Sequence, residues 1–113
     1  MIARPHRFHG YNSLKPVYRA GQTVRGPLMS LRYSTREARR PYRVAVVVSR
    51  KVHKSAVVRN RIRRRLYEIV RRSSDQLPGG RDLVFTIFSD QVATIDVGKL
   101  EKIVGDLLRK TKS

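Results

Sequence analysis

Residues 51–72, KVHKSAVVRNRIRRRLYEIVRR, constrain the fold more than any other stretch of the chain. Val58, Ile62, Leu66, Ile69 and Val70 recur at steps of four, four, three and one, which is one face of a helix with about 3.6 residues per turn. The remaining surface carries Arg59, Arg61, Arg63, Arg64, Arg65, Arg71 and Arg72 against the single acid Glu68. The spacing predicts an amphipathic helix, with Ser55 placed to cap its start by accepting a backbone N–H bond. Its apolar stripe needs a partner, and a sheet is the simplest one. Solvated helix faces mix charge signs, because like charges at i,i+4 repel. A face this one-sided suits a polyanion, and arginine in place of lysine suits bidentate phosphate contacts.

The whole chain carries the same bias. Lys plus Arg number 26 against 8 acids, for a net charge of +18. That is the electrostatic footprint of a nucleic-acid-binding domain. An apolar content of 40% argues against a disordered basic tail. The 113 residues suffice for one domain, 1–113, with one modest core. There is no cysteine, so disulfides, thiolate zinc sites and cysteine nucleophiles are excluded. No apolar run approaches the roughly 20 residues of a membrane span, and the N-terminus lacks the apolar stretch of a secretory signal. No membrane partner and a cytoplasmic location are therefore expected.

Taken in order, residues 1–10 read as an extended basic arm containing Arg7 and Phe8, a charge beside a stacking surface. His6 and His9 have no third metal ligand nearby in sequence. Residues 13–20 predict a short helix, with Ser13 as cap, Pro16 in the first turn, and Gly21 ending it in a left-handed conformation. Val17 is expected in the core and Tyr18 at a wet edge. Residues 22–34 alternate as one half-buried strand. Residues 42–50 hold the apolar run Val44 to Val48 and read as a central strand covered on both faces. These two strands are expected to pair antiparallel. A third strand spans 82–89. A last helix spans 96–110, capped by Asp96, with Leu100, Ile103, Val104, Leu107 and Leu108 as its stripe. The order α-β-β-α-β-α gives a two-layer α/β (α+β) sandwich. General rules make a parallel crossover through the arginine helix right-handed.

The chemistry is that of a binder. The acids Glu37, Glu68, Asp75, Asp82, Asp90, Asp96, Glu101 and Asp106 are scattered. They form no cluster of the kind a metal-dependent nuclease needs, and no glycine-rich phosphate loop is present. A helix reading the DNA major groove would carry several Asn or Gln residues. The arginine helix has one such residue among its arginines, Asn60. Repeated arginine without base readers points to recognition of phosphates and shape, so to structured RNA rather than DNA.

The stretch KVHKSAVVRNRIRRRL resembles the signature of the bacterial ribonuclease P protein component, through Lys51, Ala56-Val57, Arg59-Asn60-Arg61 and Arg63-Arg64. HRFHGYNSLKPVYRAGQTV is similar to that family's N-terminal segment, and RDLVFTIF to its last strand. The resemblance implies a small mixed sheet with a left-handed βαβ crossover through the arginine helix, which replaces the right-handed default. It implies the RNA-binding subunit of an endoribonuclease holoenzyme that removes the 5′ leader from precursor tRNA. Catalysis would belong to the RNA subunit, with no catalytic residue in the protein, and Mg2+ would be bound mainly by that RNA. The partners implied are the catalytic ribonuclease P RNA and precursor tRNA. Lys51, Arg59, Asn60, Arg61, Arg63, Arg64 and Arg65 would face the catalytic RNA. Arg7, Phe8, Leu14, Tyr18 and Arg50 would line a cleft for the leader. Three positions depart from the family pattern: Leu14 stands where an aromatic is common, Pro16 interrupts the short helix, and Tyr67 replaces a basic residue. A small basic structural ribosomal protein is the other reading that the composition allows.

Overall fold

A computed structural model of the chain describes residues 6, 8, 14–35, 41–73, 77 and 79–111. In chain order the elements are α1 (Lys15–Ala20), β1 (Gln22–Arg25), β2 (Met29–Thr35), β3 (Arg43–Val47), α2 (Ala56–Arg72), β4 (Arg81–Ile87), a 3-10 turn (Asp90–Ala93) and α3 (Val97–Lys110). The four strands form one mixed sheet in the order β1-β2-β4-β3. β1 with β2 and β2 with β4 are antiparallel, while β3 and β4 are parallel and joined through α2.

Alternation along the strands sorts the side chains between the two faces of the sheet. Met29, Leu31 and Tyr33 of β2, Val44 and Val46 of β3, and Leu83, Phe85 and Ile87 of β4 share one face. They form the main core with Ile62, Leu66, Ile69 and Val70 of α2 and Leu100, Val104, Leu107 and Leu108 of α3. Both helical stripes therefore do what their periodicity predicts, with Val58 and Ile103 half-buried at the margins. Ser55 caps α2 by accepting from the Val58 N–H at 3.4 Å, and Asp96 caps α3 by accepting from Gly98 and Lys99. The opposite face carries Arg32, Arg43, Ala45, Val47, Asp82, Val84 and Thr86, and α1 covers part of it over β2 and β4. Val17 and Val84 are fully buried there, outside the main core. No helix among the described residues is long and apolar enough to cross a membrane.

Two strand expectations are corrected. Residues 22–34 are two strands, because Gly26, Pro27 and Leu28 turn the chain and Leu28 takes a positive φ of 69°. Residues 42–50 do not pair with the preceding strand, nor are they central. Among the described residues β3 is a sheet edge, paired only with β4, and every second residue of it is half-buried. The inner strands are β2 and β4, and Leu83, Val84 and Phe85 of β4 are all buried.

Gly21 ends α1, but not in the left-handed conformation expected; its φ is −77° and ψ 166°. Glycine is needed for space. A Cβ there would sit 2.3 Å from the Val17 carbonyl oxygen and 2.8 Å from that of Tyr33. The Gly21→Ala variant should therefore push α1 off the sheet and lower stability by about 1–3 kcal/mol, the usual range for overpacking. A thermal melt matching the parent would show that α1 can shift at no cost. The residue capping α1 is Leu14, whose side chain makes no cap hydrogen bond, and Pro16 occupies the first turn as expected. Ser13 lies outside the described residues.

Candidate nucleic-acid interfaces on two sides of the sheet

The exposed side of α2 is not uniformly available to a partner. At its C-terminal end the arginines are paired with acids. Arg71 donates to Glu68 through two nitrogens, and Arg72 reaches Glu68 at 3.7 Å and Glu101 at 3.2 Å. The bonds from Arg71 hold the Glu68 carboxyl below its usual pKa. Arg65 turns inward, and its guanidinium donates to the Val92 and Ile95 carbonyls, tying α2 to the segment that leads into α3. Upstream the picture changes. Among the described residues, no hydrogen bond or ion pair engages Arg61 or Arg64. Arg63 donates to the Asn60 side chain one turn earlier, which orients both outward groups. Arg59 reaches the His53 carbonyl at 3.4 Å. The same Arg59 lines a groove of about 650 Å³ with Arg50, Lys51, Lys54 and Ala56 at the start of the helix. The first half of α2 and the loop before it thus form a concentrated cationic surface, next to the unsatisfied N–H groups of a helix N-terminus.

The second candidate surface is the sheet face that bears α1. Arg32 fixes α1 on it. Its Nε donates to the Val17 carbonyl at 3.0 Å, one terminal nitrogen to the Tyr18 carbonyl at 2.7 Å, and the other to Thr23 Oγ1 at 2.8 Å. These bonds satisfy the last carbonyls of a six-residue helix too short to be stable alone. They leave the Tyr18 side chain 42% exposed on its rim. Beyond α1 the edge strand β3 contributes Arg43, Ala45 and Val47, all half-buried. Arg43 makes a bidentate pair with Asp82, Nε to Oδ1 at 3.0 Å and a terminal nitrogen to Oδ2 at 2.9 Å. The Asp82 side chain is 1% exposed. The Phe8 ring lies over the Arg43 guanidinium, 4.5 Å from ring centre to carbon. Nearby, His6 stacks on Tyr42 at 3.9 Å and its Nδ1 lies 2.9 Å from the Tyr42 carbonyl oxygen. Burial pushes the Tyr42 phenol above its ordinary pKa, so it stays neutral under His6. The arm is thus anchored at residues 6 and 8 to the start of β3.

The residues singled out from sequence fall into three groups. Lys51, Arg59, Asn60, Arg61, Arg63 and Arg64 lie on or beside the exposed first half of α2, and Arg65 is engaged inside the fold. Phe8, Leu14 and Tyr18 belong to α1 and the arm on the far side of the sheet, while Arg7 lies outside the described residues. Arg50, read as part of the leader cleft, sits at the opposite end of β3 from Phe8, among Lys51, Lys54 and Arg59. Sequence reasoning missed Arg32 and the Arg43–Asp82 pair. The available signal was weak: alternation alone puts Arg32 and Arg43 on the sheet face away from the core.

Comparison with known proteins places the chain in a family. The chain matches the family described as ribonuclease P over residues 2–112. It is 37% identical over 89 residues to the ribonuclease P protein component of Synechococcus elongatus, covering 76% of this chain and 73% of that protein. It is 36% identical over 109 residues to that of Chloroflexus aurantiacus, covering 96% and 79%. Its fold is that of the ribonuclease P protein from Thermotoga maritima, with a TM-score of 0.83, 20% identity, and 95% and 98% of the two chains covered. The Staphylococcus aureus protein superposes with a TM-score of 0.81 at 17% identity, covering 95% of each chain.

Proposed function

This chain belongs to the ribonuclease P protein component family, and we propose that it holds the catalytic RNA with α2 and the 5′ leader of precursor tRNA with the α1 face of the sheet. The family makes it the protein subunit of an endoribonuclease holoenzyme with an RNA partner. The carrying observation is the separation of the two surfaces. A four-stranded sheet stands between the unpaired arginines of α2 and the exposed Tyr18 of α1, so one chain can touch two RNAs at once. The relatives reported above are all ribonuclease P proteins, and none points to a ribosomal protein.

In this reading the polypeptide positions substrate and the RNA performs the cleavage. Magnesium belongs with the RNA. The described side chains offer no group of three metal-ligating residues. Of the described acids, Glu68, Asp82, Glu101 and Asp106 are each paired with an arginine and Asp96 caps α3, which leaves exposed Asp90 as a single free carboxylate. Such a donor set does not fit a hard dication, which needs several free carboxylate or carbonyl oxygens.

The test is a cleavage assay on 5′-extended precursor tRNA at low magnesium, with the chain alone, the RNA alone and both together. Cleavage enhanced only by the pair is expected; cleavage by the chain alone would overturn the assignment of roles. The double variant Arg61→Ala/Arg64→Ala should weaken RNA assembly with an unchanged thermal melt. Tyr18→Ala should spare assembly but lower the preference for leader-bearing over mature tRNA by about fivefold or more, as for loss of one base-stacking aromatic. An unchanged preference would remove the leader from the α1 face.

A further inference from the structure

Phe88 follows directly on β4 and is 51% exposed. Single exposed apolar side chains are common and mean little by themselves; the position of this one carries the argument. Its backbone is held, because the Phe88 N–H donates to the Leu28 carbonyl at 2.8 Å, continuing the β2–β4 ladder one residue past its end. Ile87 is 3% exposed in the main core. Alternation therefore puts Phe88 on the other face, with Asp82, Val84 and Thr86. The parallel register pairs Val47 with Thr86. Carried two residues on, it sets Ser49 beside Phe88, with Arg50 next.

The α1 face thus has an aromatic ring at each end of the β3–β4 strip. Phe8 on Arg43 marks the end at Asp82, and Phe88 marks the other. Six residue steps separate Asp82 from Phe88, about 20 Å along the strand. Between them Val84 is buried, and the open floor is Ala45, Val47 and Thr86, all half-buried and without charge. Exposed Arg50 and Lys51 make the Phe88 end cationic, and Arg43 stands at the other. The acid on this strip, Asp82, is buried and matched by Arg43. A short apolar floor, rings at both ends and basic flanks are the features that grip single-stranded nucleic acid. At about 3.4 Å per stacked nucleotide the strip takes about six nucleotides, and fewer where the strand is extended.

We propose that Phe88 is a base-stacking residue for single-stranded RNA, closing the end of this track away from Phe8. The proposal rests on the reading that the α1 face holds the leader, and it adds a residue and a length to that site. It also gives Arg50 a place: beside Phe88, where the track meets the cationic groove at the start of α2.

The experiment uses the reconstituted holoenzyme and measures affinity for precursor tRNA with a leader shorter than the track, one longer than it, and none. Phe88→Ala should weaken binding of the long-leader substrate by at least about fivefold, the lower end of what one stacking ring supplies. It should leave binding of the tRNA without a leader unchanged. Phe88→Tyr should bind like the parent, while Phe88→Leu, apolar but not flat, should bind like Phe88→Ala. An equal loss at every leader length, or rescue by leucine, would mean apolar packing and overturn the proposal. Tyr18→Ala run alongside separates the two failures. If it loses leader preference while Phe88→Ala does not, Phe88 is no subsite and the leader reading stands. If neither variant changes it, the leader reading falls as well.

Discussion

Raising salt from roughly 50 to 200 mM will weaken the complex of this chain with its RNA partner by about 10³- to 10⁴-fold. The magnitude follows from which cations are free. Arg65 is bonded to two backbone carbonyls, and Arg71 and Arg72 are matched by Glu68 and Glu101. That leaves Arg50, Lys51, Lys54, Arg59, Arg61, Arg63 and Arg64 around the start and first half of α2. About seven phosphate contacts give a slope of log affinity against log salt near −5 to −6, between the single-strand and duplex coefficients. If Arg65, Arg71 and Arg72 took part as well, about ten contacts would steepen the slope to about −7 to −9. Titrations at several salt concentrations distinguish the two cases. Arg64→Ala should lower the slope by about one, whereas Arg71→Ala should leave it alone. A slope shallower than about −2 would mean that α2 is not the RNA-binding surface.

The two long helices were legible because their signals are local. Apolar residues three and four apart predict the buried stripes of α2 and α3, and Ser55 and Asp96 cap them from positions that sequence alone identifies. The arginine-rich side of α2 was legible as a surface, but its division into free and engaged cations was not. Arg65 meets Val92 and Ile95 across 27 and 30 residues, and no spacing rule announces a guanidinium bonded to carbonyls so far away. Arg32 holding α1 and Arg43 holding Asp82 are invisible for the same reason. The sheet misled in a different way. Val44 to Val48 is an unbroken apolar run, which ordinarily marks a strand covered on both sides. Here Val44, Val46 and Val48 do fill the core, while Ala45 and Val47 are half-buried on the face proposed to hold the leader. A floor for bases would need the same apolar surface that a core does, so it would read as interior.

That distinction sets up the largest stability effect in the molecule. Phe85 is fully buried at the centre of β4, opposite Leu31 on one neighbour and Val46 on the other. Phe85→Ala removes the largest fully buried side chain among the described residues from the middle of the sheet, directly between it and the helices. Such truncations cost about 3–5 kcal/mol, because the surroundings close only partly over the cavity. Against a total stability of about 5–15 kcal/mol, the variant should be marginal or unfolded at physiological temperature. Val47→Ala is the informative counterpart. If residues 42–50 were a central strand covered on both faces, Val47 would be core and its truncation expensive. On a strand face open to solvent it should lower the stability read from urea unfolding by less than about 0.5 kcal/mol, as for other surface positions. Comparing the two losses therefore tests whether that face of β3 is open. Equal losses would mean the face is covered and would close the proposed leader site; a large loss at Phe85 with almost none at Val47 leaves it open to a ligand.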